Sequence, residues 1–189
     1  MLSPRDLPNV LTVARMVLVA PLVVLLMLER YPAALVLAVI SGVSDALDGA
    51  LARRFGWQTR LGGILDPLAD KLLLIGVFAA LAWLGHLPSW LFALVVLRDL
   101  VIVTGGLVYH YRIESLSAEP TRLSKLNTLC QILLMWAVLT GLAGLALPPW
   151  VLPALVWVVT ATVVATLIQY VLIWSLRARD AVSRRPDAS

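Results

Sequence analysis

Ser41 to Lys71 read SGVSDALDGALARRFGWQTRLGGILDPLADK, and four aspartates in that stretch, Asp45, Asp48, Asp66 and Asp70, decide how the whole chain is read. They fall within or at the ends of two apolar segments, near 33–52 and 63–84. A carboxylate carried into a membrane-spanning helix costs about 2.5–3.5 kcal/mol. Four together also repel one another, so the cluster is tolerable only when cations neutralise it. Asp45 and Asp48 are three apart and Asp66 and Asp70 four apart, so each pair occupies one helical face.

Working outward, the surroundings are lipid-like. Of 189 residues 61% are hydrophobic and only 14% charged, with a mean hydropathy of +0.93. That is more apolar side chain than one small soluble core hides. Six segments are apolar enough to span a bilayer, near 11–28, 33–52, 63–84, 89–109, 123–145 and 151–176. The breaks carry turn chemistry at Tyr31-Pro32, Gly85-His86-Leu87-Pro88 and Leu147-Pro148-Pro149. No linker interrupts the segments, so residues 1–189 are expected to form a single membrane domain with a basic C-terminal tail. Ser3-Pro4 reads as a cap and first-turn proline, so a short interfacial helix is expected before the first span. The N-terminus lacks the basic region and cleavage site of a secretory signal, and the first apolar segment is expected to be kept as a span.

Charge sets orientation. Of 15 Lys and Arg residues, only Arg30 falls in the first, third or fifth connection. The others gather at the opposite side, which the positive-inside rule makes cytoplasmic. Both termini are then cytoplasmic, as six spans require, and the tail Arg177, Arg179, Arg184 and Arg185 is read as a topology determinant. No nucleic-acid partner is expected. Trp57, Trp83, Trp90, Trp150 and Trp174 flank span ends as interface anchors, whereas Trp136 and Trp157 sit deeper and are read as packing residues. Cys130 is read as a small apolar helix residue, and His86 and His110 as interfacial histidines.

The two antiparallel segments can bring both aspartate pairs to similar depth in the cytoplasmic half of the bilayer. Four carboxylates make a hard oxygen site that suits Mg²⁺ or Mn²⁺ and lacks the Cys and His that zinc prefers. Room for two ions would match the clamp used in phosphoryl transfer. Gly49, Ala52, Gly62 and Gly63 allow a ligand close to the backbone. Arg53, Arg54 and Arg60 ring the mouth and suit phosphates. The plainer alternative is that the aspartates pair with Arg53, Lys71 or Arg98 as packing salt bridges.

The pattern Asp45-Ala46-Leu47-Asp48-Gly49-Ala50-Leu51-Ala52-Arg53, then Gly62, Asp66 and Asp70, resembles the CDP-alcohol phosphotransferase signature at all eight fixed positions over 26 residues. Asn9-Val10-Leu11-Thr12, Arg15 and Pro21 extend the resemblance towards the start. It implies an all-α, six-span fold, usually homodimeric, whose active site opens to the cytoplasm. By that resemblance Asp45, Asp48, Asp66 and Asp70 would be metal ligands, with Asp70 also the general base. Asp48, Gly49, Ala52, Arg53, Gly62 and Asp66 would hold the CDP moiety. The reaction implied is transfer of a phosphatidyl group from CDP-diacylglycerol to an alcohol, with release of CMP.

For the acceptor, Asp66-Pro67-Leu68-Ala69-Asp70-Lys71 is similar to the bacterial phosphatidylglycerophosphate synthase and cardiolipin synthase branch. Arg98-Asp99 and Ser124-Lys125-Leu126-Asn127-Thr128-Leu129-Cys130-Gln131 most resemble the cardiolipin synthases, which use phosphatidylglycerol. Phosphatidylglycerophosphate synthases commonly carry Arg-Glu and a second arginine, and residues 100–107 offer no second base. Glycerol 3-phosphate is the alternative acceptor. Both are anionic, and Arg98, Arg112, Arg122 and Lys125 are the candidates to bind either. The connection from Arg112 to Arg122 reads as a surface loop, with part of an acceptor lid as the alternative. Two other classes compete. Intramembrane carboxylates also mark ion-coupled transporters, but those favour midplane sites between repeats, and no repeat is evident here. A membrane scaffold leaves the aspartate spacing unexplained. Six such spans with cytoplasmic termini fit a bacterial inner membrane.

Overall fold

Apolar runs broken by turn residues become helices end to end. The computed structural model describes residues 7–55, 62–112 and 121–183. Among them six helices follow one another: α1 Leu7–Met27, α2 Tyr31–Phe55, α3 Gly62–Trp83, α4 Ser89–Arg112, α5 Arg122–Leu142 and α6 Val151–Ser183. No strand occurs among the described residues. Among the described residues three helical stretches are long and apolar enough to cross a membrane: Ser89–Gly106, Arg122–Leu142 and Val151–Leu176. Thr12–Met27 and Tyr31–Asp45 are shorter apolar helices. The expected interfacial helix at Ser3-Pro4 lies outside the described residues.

Three helices end alike. After α1, Arg30 N–H donates to Leu25 C=O at 2.9 Å and Glu29 N–H to Leu26 C=O at 2.9 Å. After α3, His86 bonds back to Leu81 and Gly85 to Ala82; after α5, Leu145 bonds to Thr140 and Gly144 to Gly141. This pair of bonds satisfies the orphan carbonyls of a helix end and needs one left-handed residue. Gly85 and Gly144 supply it at φ 78° and 90°, but after α1 the position is taken by Glu29 at φ 56°. An L side chain there is strained by about 1–2 kcal/mol.

The chain divides into two compact units. The first comprises Met1–Pro88 with Met135–Pro148. Here α1 lies against both α2 and α3. Its inward face carries Thr12, Arg15, Leu22 and Leu26 at helical spacing, all buried. On α2 the buried face is a row of small residues, Ala34, Ala38 and Ser41, which lets helix backbones approach closely. On α3 it is Ala69, Val77, Phe78 and Leu81. A methyl group added at Gly76 would lie 3.1 Å from Val19 Cγ1, so α1 crosses α3 tightly at that point.

The second unit comprises Ser89–Leu134 with Pro149–Ser189. In it α4 lies against α6, and the ring of Trp174 covers Gly105. Trp90 and Trp157 stand with ring centroids 6.2 Å apart. Trp157 was expected to be a packing residue, but it is 67% exposed. Trp136 does pack, beside Gly42 in the first unit.

The core is mainly apolar, but polar side chains are buried within it while many large apolar ones face outward. Buried positions include Arg15, Ser41, Arg98, Ser124, Asn127, Gln131 and Thr166. Outward positions include Val17, Val36, Ile40, Leu97, Leu100, Ile168 and Leu172. Lipid is the solvent that makes this arrangement favourable.

Candidate active site

Helix register within the first unit brings the site together. Arg15 lies in the first half of α1, Asp45 late on α2 and Asp70 early on α3; α1 packs against both of the others, and α2 and α3 follow one another in opposite directions. At the other end Tyr31 meets His86, the tyrosine hydroxyl and His86 Nε2 being 2.9 Å apart with the rings edge to face. At 1.5 Å of rise per residue, Asp45 stands about 20 Å along α2 from Tyr31, and Asp70 about 20 Å along α3 from Trp83. The two carboxylates therefore share one depth, on the side where α2 hands over to α3.

They meet on a single nitrogen. Arg15 Nη1 donates to Asp70 Oδ1 at 2.7 Å and forms an ion pair with Asp45 Oδ1. The arginine is 2% exposed, whereas the Asp45 and Asp70 side chains are 45% and 51% exposed. A buried guanidinium thus backs two half-open carboxylates. Neighbouring carboxylates repel unless a positive charge lies between them, and here it comes from a third helix. Two hard oxygen donors from two helices thus meet at one point, whereas a divalent ion would need further oxygen ligands beside them.

Arg15 was not among the partners weighed on sequence, and the side chain of Arg53 lies outside the described residues. Arg98, considered as a packing partner of the aspartates, donates instead to its neighbour Asp99 at 2.6 Å. Adjacent residues on a helix meet only because the long guanidinium can fold back along the backbone. Arg15 was singled out as part of a terminal pattern rather than as an ion-pair partner. A better signal was available: an arginine inside an apolar segment needs an anion, and the aspartates are the nearby surplus.

Asp48, Gly49, Ala52 and Arg53 lie on α2 and Gly62 and Asp66 on α3, but their side chains are outside the described residues. Among the described residues no three His, Cys, Asp or Glu side chains group together, Asp48 and Asp66 being outside them. Arg54 is exposed, and Arg60 is outside the described residues.

The acceptor candidates belong to the second unit. Arg98 is buried, and its Nη2 donates to Ser124 Oγ at 2.5 Å. Thr121 caps α5, accepting from Ser124 N–H at 3.2 Å and donating to Gln169 Oε1 at 3.0 Å. Arg122 and Lys125 follow the cap and are exposed. The side chain of Arg112, that of His110 and the loop 113–120 lie outside the described residues.

Sequence reasoning missed the polar face of α5. Ser124, Asn127 and Gln131 recur at helical spacing and are buried. Asn127 Oδ1 accepts from Thr162 Oγ1 on α6 at 3.0 Å. Asn127 Nδ2, Gln131 Nε2 and Arg98 Nε have no hydrogen-bond partner. Turning the Asn127 amide over only exchanges an orphaned donor for an orphaned acceptor. The stretch Ser124–Gln131 had been noted for its resemblance, but not for this face. Cys130 is buried and free, as expected.

Comparison with known proteins gives the same direction. Residues 5–174 match the family model described as CDP-alcohol phosphatidyltransferase. A probable cardiolipin synthase (CMP-forming) of Drosophila melanogaster is 33% identical over 188 residues, covering 88% of this chain and 56% of the relative. The cardiolipin synthase (CMP-forming) of Homo sapiens is 30% identical over 74% of this chain and 52% of its own length. A CDP-diacylglycerol–glycerol-3-phosphate 3-phosphatidyltransferase of Rickettsia typhi is 32% identical over 74% of this chain and 79% of the relative. The chain spans about half the length of the two cardiolipin synthases.

Proposed function

The chain belongs to the CDP-alcohol phosphatidyltransferase family, and from that premise we propose that it moves the phosphatidyl group of CDP-diacylglycerol to an anionic alcohol and releases CMP. The observation that carries this reading is the meeting of Asp45 and Asp70, from two helices, on one positive charge. Phosphatidylglycerol is the acceptor favoured by Arg98-Asp99 and by the Ser124–Gln131 stretch, giving cardiolipin. Glycerol 3-phosphate is the second reading, supported by the name and the fuller coverage of the Rickettsia relative.

Asp45, Asp48, Asp66 and Asp70 would hold two Mg²⁺ or Mn²⁺ ions. Bound there, the ions would offset the charge that the departing diphosphate bond concentrates. The half-open Asp70 carboxylate accepts the acceptor's hydroxyl proton. The acceptor oxygen then bonds to the phosphatidyl phosphorus, the bond from that phosphorus to the CMP oxygen breaks, and CMP carries the electron pair away. By the resemblance, Gly49, Ala52 and Gly62 would frame the nucleotide and Arg53 would pair with its phosphates. Arg98, Arg112, Arg122 and Lys125 are the candidates to supply positive charge for the acceptor's phosphate.

The same reading takes all six helices as spans of one membrane domain with both termini cytoplasmic, the site on the cytoplasmic side of a bacterial inner membrane, and the protein a homodimer. An ion-coupled transporter has no need of the family signature. The test is CMP release from CDP-diacylglycerol in detergent, with Mg²⁺, with Mn²⁺ and with chelator. Phosphatidylglycerol and glycerol 3-phosphate are supplied in parallel, and the lipid product is identified by mass. Metal-dependent CMP release with cardiolipin as product is expected. Absence of CMP release with either acceptor would remove the proposal.

A further inference from the structure

Arg15 contacts one oxygen of each of two carboxylates that the proposed divalent ion would also draw on. Its Nη1 is bonded to Oδ1 of Asp45 and to Oδ1 of Asp70. The lone pairs facing the guanidinium are therefore unavailable to a metal while the pairs persist. A dication beside the guanidinium would also be repelled by it. Ion pairing and metal binding at these oxygens compete.

The burial of Arg15 adds a second constraint. At 2% exposure its charge cannot be released to water when the carboxylates are taken from it. A buried cation that loses its counter-ions must find another anion within reach of a long side chain. On the proposed reaction, the anion that arrives at this site is the nucleotide diphosphate. Arginine suits it, with a planar fork of donors that can leave one oxyanion for another without changing protonation state.

We propose that Arg15 is the resident counter-ion of the aspartate site: it holds Asp45 and Asp70 together in the metal-free protein, competes with the divalent ion for them, and on displacement pairs with the substrate diphosphate. The inference rests on reading the aspartates as the cation site. It makes Arg15 a residue with opposite effects on two ligands. Its charge weakens metal binding and strengthens nucleotide binding. A merely structural arginine would weaken both when removed, because the aspartates would no longer be held.

The experiment uses the full chain in detergent micelles. Mn²⁺ binding is followed by the electron paramagnetic resonance of free Mn²⁺, and CDP binding at saturating Mn²⁺ by calorimetry. Wild type, Arg15→Gln, Arg15→Lys and the double variant Asp45→Asn with Asp70→Asn are compared. Arg15→Gln is expected to bind Mn²⁺ about tenfold more tightly and CDP about tenfold more weakly. Arg15→Lys, whose single ammonium cannot reproduce the fork, should shift both in the same directions by less. Unchanged or weakened Mn²⁺ binding by Arg15→Gln overturns the inference while leaving the metal site in place. Wild-type Mn²⁺ binding by the double aspartate variant overturns the cation-site reading itself, and the inference with it. Where tryptophan-fluorescence melting shows Arg15→Gln to be unfolded, Arg15→Lys decides, and wild-type affinities for both ligands refute the proposal.

Discussion

Replacing Asp70 with asparagine separates a catalytic carboxylate from a packing salt bridge, because the two roles predict losses of different size in different measurements. The substitution keeps the side chain's shape and leaves an oxygen able to accept from Arg15 Nη1, now 2.7 Å away. What it removes is one negative charge and the ability to take a proton. The Asp70 side chain is 51% exposed, so its ion pair is screened and contributes at most about 1 kcal/mol. Arg15 also keeps Asp45. For a chain of this size that corresponds to a fall in melting temperature of about 2–4 °C. General-base catalysis is worth about 100- to 10,000-fold, or about 2.7–5.4 kcal/mol of activation free energy. Asp70→Asn should therefore lose at least about 100-fold in CMP release while melting within about 4 °C of wild type and still binding CDP-diacylglycerol. Had the carboxylate served only as the partner of Arg15, turnover would fall only as the folded fraction falls, and so by far less than about 100-fold. Wild-type turnover by Asp70→Asn, or activity lost strictly in step with folding, would refute the assignment.

Two further substitutions test the helix packing that positions the site residues. A Cβ at Gly105 would lie 2.0 Å from Trp174 Cζ3 and 2.4 Å from Cη2, so the ring must withdraw by about 1.5 Å to reach ordinary contact. Gly105→Ala should destabilise by about 1–3 kcal/mol in thermal unfolding, and adding Trp174→Leu should recover most of that loss. Glu29→Gly should raise stability by about 1 kcal/mol, because glycine adopts the left-handed backbone at φ 56° without the Cβ clash. A lower melting temperature for Glu29→Gly would show that the glutamate side chain outweighs the strain.

Much of the fold was legible because each signal was local. The expected segments near 33–52 and 63–84 fall on α2 and α3 with ends one to three residues off, 151–176 falls on an α6 that runs seven residues further, and turn residues lay at or near the three tight ends. The left-handed glycines could be read from Gly85 and Gly144, but Glu29 could not, since nothing in its identity favours φ above zero. At the site, the spacing of Asp45 and Asp70 within their own segments marked both as chemistry-bearing. The sequence pointed to divalent ions as their counter-charge, with Arg53, Lys71 or Arg98 as the plainer alternative; Arg15, which the structure brings to both, belonged to a separate pattern near the start. The polar face of α5 was hidden in the same way, for Ser124, Asn127 and Gln131 look unremarkable until their common direction is known.

The sequence by itself determined the solvent, the helices and the family: hydropathy, periodicity and an eight-position signature are properties of one strand of chain and its neighbours. Only the tertiary structure decided that Arg15 stands between Asp45 and Asp70, that Asn127 answers Thr162, and that Trp157 faces outward. The physical reason is that periodicity fixes which residues share a face of one helix but not how far that helix slides or turns against the next. That register is set by close packing, through the small row Ala34, Ala38 and Ser41 on α2 and the tight crossing of α1 at Gly76 on α3.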